Sequence, residues 1–242
     1  MVQVPQRTAL SGPALIRLLA RLTDLDVAES SQSLSDRLSQ WLGWTDAIGL
    51  STALNGSPPV VAAGARGFGS AEEDECARVR AALVTSIAGD SASGRTNRRG
   101  PAAVPVQVEV DYAVFRQRYL SLQQAMETRI GNLRGHLRAM LAARTPSMAR
   151  LAVVDAVMER ALSPRERSLL ASVPGMLAGH FERLRLAEQA ALADAGSTGT
   201  AAAVTPGAWL DAFSRDMQSV LLAELDVRFQ PVEGLLAALR TR

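Results

Sequence analysis

The sequence predicts an all-α protein, a multi-helix bundle built around one long amphipathic helix at about residues 111–143. Apolar residues recur at intervals of three and four along most of the chain, as they do in amphipathic helices. Aromatic residues make up only 4% of the composition, which disfavours an all-β fold. The predicted organisation is an N-terminal helical region at 1–90, a flexible linker at 91–107 and a helical bundle at 108–242, with a second linker near 194–204.

The first half of the N-terminal region contains signals for three short helices. Ser11 is predicted to cap a leucine-rich helix, because a hydroxyl side chain can accept a free N–H of the first turn. A second helix is predicted at 31–42, and Thr45 is predicted to begin a third. Residues 55–70 are rich in Gly, Pro and Ser, which indicates a loop.

A fourth N-terminal helix is predicted to begin at Ser70. Ser70 and Glu73 have the spacing of a capping box, in which each side chain accepts a backbone N–H at the helix start. The apolar periodicity continues to about Ala88. Residues 89–107 have no periodicity, and we interpret them as a flexible linker.

The longest predicted element is the helix at 111–143, which contains no proline and can be capped by Asp111. Its apolar positions follow one another in steps of three and four, which is typical of a coiled-coil-like face. Two consecutive steps of four form a stutter near Met126 and Ile130. The positions are Phe115, Tyr119, Leu122, Met126, Ile130, Leu133, Leu137 and Met140.

Prolines are predicted to divide the C-terminal part into separate helices. Thr145-Pro146, Ser163-Pro164 and Thr205-Pro206 each pair a hydroxyl residue with a proline, which is favoured in the first turn of a helix. Pro174 is predicted to kink or restart a helix, and Pro231 is predicted to break the last one. The reason is that proline lacks the N–H that continues a helix and restricts the residue before it.

The chemistry-bearing residues are sparse. All 26 basic residues are Arg, which excludes a phosphate-binding or Schiff-base lysine, and Cys76 is the one cysteine. His136 and His180 lie on different predicted helices, and Asp155 and Glu159 lack the Glu-x-x-His partners of a di-metal site. We therefore expect no catalytic residue, no cofactor and no metal site. The alternative is an enzyme site formed by tertiary convergence, visible as a deep pocket lined by these His or acidic residues.

The basic residues are concentrated in the middle of the chain. Residues 91–150 contain ten Arg and three acidic residues, whereas the rest of the chain is close to neutral or acidic. This region could bind an acidic protein surface, in cis or in trans, bind nucleic acid, or be a solvated face. The candidate partner-binding residues on the long helix are Arg116, Arg118, Arg129, Arg134 and Arg138.

Three stretches of the chain resemble an uncharacterised proteobacterial family of unknown function. They are LSGPALIRLLARLTDLDVAESSQSLSDRLSQWLGWTDAIGLSTALN, VDAVMERALSPRERSLLASVPGMLAGHFERLR and WLDAFSRDMQSVLLAELDVRFQPVEGLLAALR. The resemblance implies no activity and no catalytic residue. Members of that family are encoded near membrane proton-channel subunits of the MotA/TolQ/ExbB type and OmpA-like proteins, which implies an accessory of an envelope complex.

The sequence as a whole indicates a non-enzymatic helical interaction or adaptor protein. The amphipathic helices would bind a protein partner or a second copy of the chain. The alternative is a nucleic-acid-binding regulator that uses the basic region at 91–150. No run of 18 apolar residues predicts a transmembrane segment, and the first ten residues lack the pattern of a signal peptide, so a cytoplasmic location is expected.

Overall fold

A computed structural model of the chain describes residues 13–24, 32–56, 69–96, 110–198, 205 and 207–241. This part of the chain contains helices and no strand, which confirms the predicted all-α bundle. None of its helices combines the length and apolar composition that a bilayer span requires. The helices are α1 (Ala14–Thr23), α2 (Leu34–Trp41), α3 (Trp44–Asn55), α4 (Ser70–Thr96), α5 (Tyr112–Ala142), α6 (Pro146–Leu170), α7 (Val173–Thr198) and α8 (Ala208–Arg240).

Helix α5 is the axis of the bundle, and α8 and α6 make its most extensive contacts. The Asp111 carboxylate accepts the Ala113 N–H at 2.9 Å, so the predicted cap and the predicted long helix are confirmed. Most of the predicted apolar face is buried. At the C-terminal end of this face, the predicted residue Met140 is half-buried, and its neighbour Leu141 is fully buried instead.

The N-terminal helices pack on the outside of this bundle. Helix α1 contacts α7 and α8, α4 contacts α5 and α8, and α2 and α3 lie against α6. Cys76, Leu83 and Ile87 of α4 are buried in the common core. At the surface, Arg80 contacts Asp226 and Glu233 of α8 at 2.6 and 2.7 Å. Helices α1 and α4 of the region at 1–90 therefore share the hydrophobic core of the bundle, whereas α2 and α3 lie against α6 outside it.

Several helix ends differ from the predictions. Helix α2 is capped by Ser33, and Ser11 lies outside the described residues. The predicted capping box at Ser70 is wrong, because the Glu72 carboxylate accepts the Gly69 N–H at 2.9 Å and Ser70 is already helical. Residues 91–96 and 194–198 of the predicted linkers are also helical, whereas 97–109 and 199–204 lie outside the described residues.

The prolines break the helices less often than predicted. The restart at Pro174 is confirmed, since α6 ends at Leu170 and α7 begins at Val173. The predictions at Pro164 and Pro231 are wrong, because α6 and α8 continue through them. An internal proline costs about 3 kcal/mol, whereas fully burying one aliphatic side chain contributes about 1.5–3 kcal/mol. Beyond Pro231, α8 buries four such side chains, which outweighs that cost: Val232, Leu235, Leu236 and Leu239.

Candidate functional site

The candidate site is a cleft of about 320 Å³ between α6 and α8, with α5 as its floor and Trp41 of α2 at its edge. We call it the α5–α6–α8 cleft. Its apolar lining residues are Met126, Ile130, Leu162, Leu169, Val227 and Pro231, together with Trp41. Its charged lining residues carry both signs and are Glu127, Arg134, Glu159, Arg165, Glu166, Arg167 and Arg228.

The α8 wall of the cleft contains a buried charge. Glu224 is 0% exposed, and its carboxylate accepts hydrogen bonds from the Tyr119 hydroxyl at 2.7 Å and the Gln123 amide at 3.0 Å. Arg228 Nε donates to the same carboxylate at 2.9 Å. A buried carboxylate is tolerated only when it is paired and hydrogen-bonded, so these three donors hold Glu224 in the core.

Arg228 connects this buried carboxylate to the cleft. Its side chain is 7% exposed, and its terminal nitrogen Nη1 donates to Glu166 of α6 at 3.3 Å. One guanidinium therefore joins α8 to α6 across the cleft. Burial, and next the negative charge of Glu224, raise the pKa of Tyr119 far above its ordinary value, because both disfavour a phenolate at this position. The hydroxyl therefore stays a hydrogen-bond donor.

A second charge cluster joins α5 to α6 at the other end of the cleft. Arg134 donates to Asp155 through Nε at 2.9 Å and a terminal nitrogen at 2.6 Å, and Arg138 donates to Asp155 at 3.1 Å. Arg138 also contacts Glu159. Burial lowers the pKa of Arg138, but its hydrogen bonds to the two carboxylates outweigh burial and raise that pKa. Two positive and two negative charges thus compensate one another within the chain.

Residues that are unfavourable in helices meet at this cleft. Gly131 lies on its α5 floor and Pro231 on its α8 wall, and Pro164 lies between two lining residues of α6. A Cβ placed on Gly131 would meet no other atom within 4 Å, so close packing does not require glycine there. An interior glycine costs about 1 kcal/mol relative to alanine. Residues that conflict with the helix around them are expected at functional sites. Their position here supports the cleft as the candidate site.

The α2–α3 corner contains two tryptophans, of which Trp41 lines the cleft. The guanidinium of Arg165 lies over the Trp41 ring, 5.8 Å from its centroid. Trp44, three residues later, begins α3 and is 82% exposed, and Ile48 one turn further is 52% exposed. Helix α3 has no buried residue and contacts α6 near Gly49. Three large apolar side chains of α3 are therefore more than half exposed to solvent: Trp44, Ile48 and Leu54.

The structure separates the predicted partner-binding arginines into two groups. Arg134 and Arg138 are paired with acidic residues in cis, which is one of the alternatives considered for this region. Arg116 and Arg129 are exposed, and Arg118 is half-buried. Arg129 lines a second groove, between α4 and α5, where the other charged or titratable lining residues are Glu72, Glu75 and His136.

The remaining titratable candidates lie on three different helices, α4, α5 and α7. Cys76 is buried, and burial and next the negative charge of Glu75 raise the pKa of its thiol. His180 is buried and hydrogen-bonded to Asp216 at 2.8 Å, whereas His136 is exposed. In the described part of the chain, no group of three His, Cys, Asp or Glu side chains is placed to hold a metal ion. Of the residues named for an enzyme pocket, the cleft contains Glu159.

Sequence analysis missed Glu224, Arg228 and the α2–α3 corner. The sequence does contain a signal for Glu224. This residue follows Leu221 by three positions and Val220 by four, so it lies on the apolar face of its helix, where a charged residue is unexpected. The sequence around Trp41 and Trp44 contains no such signal, because a tryptophan is as common in a buried helix face as at an exposed one. Whether an aromatic residue is covered depends on helices that are distant in sequence.

The comparisons with known proteins give a family and no activity. A family described as "Protein of unknown function (DUF3348)" matches residues 1–241. No curated protein matches the chain, and no solved structure matches it.

Proposed function

Because the chain belongs to the DUF3348 family, whose function is unknown, we propose its function from its own surface. The proposed protein is a non-enzymatic helical interaction protein, which binds another polypeptide at the α2–α3 corner and the adjacent cleft. The observation that carries the proposal is Trp44, a large aromatic residue that is 82% exposed and follows Trp41 of the cleft by three residues. Tryptophan is enriched among the residues that dominate binding energy at protein interfaces.

The chemistry of the cleft supports a protein partner. Its lining combines apolar residues with charges of both signs, which suits a large apolar side chain presented between charged residues. The nucleic-acid alternative is less favoured, because two of the arginines that suggested it, Arg134 and Arg138, are compensated by Asp155 and Glu159. A phosphate-binding surface needs uncompensated positive charge.

We place this interaction in the cytoplasm, at an envelope complex of the proton-channel type. This part of the proposal depends on the family resemblance and on the genomic neighbours that the resemblance implies. Affinity purification of the tagged chain from its own cells, with and without detergent, tests it. Co-purification of a membrane subunit in detergent is the expected result, and recovery of nucleic acid or of soluble proteins alone would contradict it.

Site-specific photo-crosslinking tests the interaction surface directly. A photoreactive amino acid replaces Trp44 in one variant and Gln117, an exposed residue of α5, in a matched control. We expect discrete protein crosslinks from position 44 and none of the same mass from position 117. Equal crosslinking from both positions, or none from position 44, would contradict the assignment of this surface.

A further inference from the structure

We propose that the groove between α4 and α5 is a small-molecule site, which binds a free amino acid with an aliphatic side chain. We call it the α4–α5 groove. Its volume of about 510 Å³ lies within the range of small-molecule sites, about 300–1,000 Å³. Its lining residues are Ala71, Glu72, Glu75 and Val79 of α4, and Arg129, Asn132, Leu133 and His136 of α5.

The α4–α5 groove is separate from the α5–α6–α8 cleft. Arg129 of the groove follows Glu127 of the cleft by two positions, and His136 follows Arg134 by two. Two positions correspond to about 200° around a helix of 3.6 residues per turn. The groove therefore lies on the opposite side of α5, and this inference does not depend on the interaction surface proposed above.

The α5 wall of the groove presents hydrogen-bond donors that are not used within the described part of the chain. Arg129, Asn132 and His136 follow one another by three and four positions, so they lie on one face of α5. All three are exposed, and none of them hydrogen-bonds or ion-pairs with another described residue. A guanidinium, a carboxamide and an imidazole each offer an N–H, and the guanidinium matches the geometry of a carboxylate. This wall is therefore suited to a carboxylate.

The α4 wall presents two carboxylates, those of Glu72 and Glu75. Each uses one oxygen locally, since Oε2 of Glu72 accepts the Gly69 N–H at 2.9 Å and Oε2 of Glu75 pairs with Arg78 at 2.7 Å. A carboxylate has two oxygens with about four lone-pair sites, so Oε1 of each residue can still accept a hydrogen bond. This wall is therefore suited to an ammonium group.

The two walls carry opposite charges, yet no ion pair joins them within the residues that the structure describes. Arg129 lines the same groove as Glu72 and Glu75 and pairs with neither. On the other side of α5, by contrast, Arg134 pairs directly with Asp155 at 2.6 Å. An α-amino acid carries a carboxylate and an ammonium on one carbon, so it can join the two walls. A simple anion would meet the two carboxylates, and a simple cation would meet Arg129.

Apolar residues of the groove favour an aliphatic side chain on the ligand. Leu133 is 5% exposed, and Val79 packs against the hydrophobic core. Together with the methyl group of Ala71, these side chains give the groove an apolar part between its polar walls. Burying an aliphatic side chain there would stabilise the complex in proportion to the apolar area removed from water.

Isothermal titration calorimetry of the full chain tests the site. L-leucine, L-isoleucine and L-valine are the probes, and N-acetyl-leucine and leucine amide are analogues that lack the ammonium and the carboxylate. We expect saturable binding of at least one amino acid and at least tenfold weaker binding of both analogues, because each loses a charge-assisted hydrogen bond. The absence of binding by all three amino acids at millimolar concentration would overturn the proposal. Equal binding of leucine and N-acetyl-leucine would do the same.

Two substitutions test the walls, each with a matched control. Arg129→Gln removes the cation of the groove, and Arg116→Gln removes an exposed arginine of α5 that does not line it. Glu75→Gln removes a carboxylate of the groove. Its control is Glu182→Gln on α7, because Glu182 also pairs with an arginine three positions away, Arg185, at 2.7 Å.

Each groove variant should raise the dissociation constant for the amino acid at least tenfold, and each control should leave it within about twofold of the wild-type value. The substituted side chains are exposed or half-buried, and far-UV circular dichroism checks that the helices are retained. An effect of Arg116→Gln equal to that of Arg129→Gln, or of Glu182→Gln equal to that of Glu75→Gln, would overturn the assignment of the groove.

Combining the variants with the analogues assigns each wall to one group of the ligand. Arg129→Gln should weaken the binding of leucine and leave that of leucine amide unchanged, because the amide has no carboxylate to lose. Glu75→Gln should likewise leave the binding of N-acetyl-leucine unchanged. If Arg129→Gln weakens leucine amide as strongly as leucine, Arg129 does not bind the carboxylate and the two-wall assignment is wrong.

Discussion

Replacing Arg228 by methionine should strongly destabilise the fold, because it leaves Glu224 buried without its positive partner. Glu224 is 0% exposed, and Arg228 Nε donates to it at 2.9 Å. Methionine retains much of the length and apolar volume of the arginine stem, so the substitution removes the charge with little change in packing. Tyr119 and Gln123 would still donate to the carboxylate, but neither carries a compensating charge.

The expected loss follows from the burial of the pair. Breaking a buried ion pair by removing one partner costs about 3–5 kcal/mol, because the other charge stays in a medium of low polarity. A stable domain has a free energy of unfolding of only about 5–15 kcal/mol. Arg228→Met should therefore remove a large fraction of the stability, and the urea midpoint should fall steeply.

The control is a solvent-exposed arginine with the same number of acidic partners. Arg80 contacts Asp226 and Glu233 of α8, and its side chain is 40% exposed. Exposed ion pairs contribute about 0–1 kcal/mol, so Arg80→Met should change the free energy of unfolding by less than about 1 kcal/mol. Urea unfolding followed by far-UV circular dichroism compares the two variants. Equal losses, or a loss below about 1 kcal/mol for Arg228→Met, would refute the reasoning.

Three further predictions concern titration, helix propensity and the second charge cluster. Burial raises the pKa of Tyr112 from 10.0 to about 12 and raises that of Tyr119 further. The folded state therefore holds these protons more tightly than the unfolded state, and the free energy of unfolding should fall as pH rises above 10. Near-UV absorbance of the only two tyrosines should show no tyrosinate near pH 10 while the protein is folded. Gly131→Ala should raise the free energy of unfolding by about 0.5–1 kcal/mol in urea titrations, because alanine fits and favours the helix; a loss would show that the site requires glycine. Asp155→Asn should lower the free energy of unfolding by about 2 kcal/mol, because Arg134 loses its charged acceptor. An unchanged urea midpoint would show that this ion pair does not stabilise the fold.

Local sequence signals predicted the helices where no tertiary contact competed with them. Helix α5 follows its predicted boundaries closely, because Asp111 caps its start and its apolar periodicity is unbroken. The prolines show where local signals fail. Pro231 predicts a break, yet α8 continues because the residues beyond it are buried against α5 and other helices, and no local pattern shows that burial.

The cleft was less predictable from the sequence than the helices, because it is formed by the packing of helices that are distant in the chain. The sequence indicated a helical interaction protein and a basic middle region, but it did not show which arginines are compensated. Arg134 meets Asp155 only because α5 and α6 pack side by side, which brings together residues that are 21 positions apart. Glu224 and Arg228 are one helical turn apart, yet their importance arises from burial by the neighbouring helices.

Composition, capping and periodicity act over a few residues, so they were enough to predict the all-α class and the long central helix and to exclude lysine-based and cysteine-cluster chemistry. Only the packing of the helices shows which charges are compensated, which prolines lie within helices and where a cleft lies between α6 and α8. These features depend on contacts between helices that are distant in the chain. The free energies of those contacts equal or exceed the local preferences that a sequence pattern records.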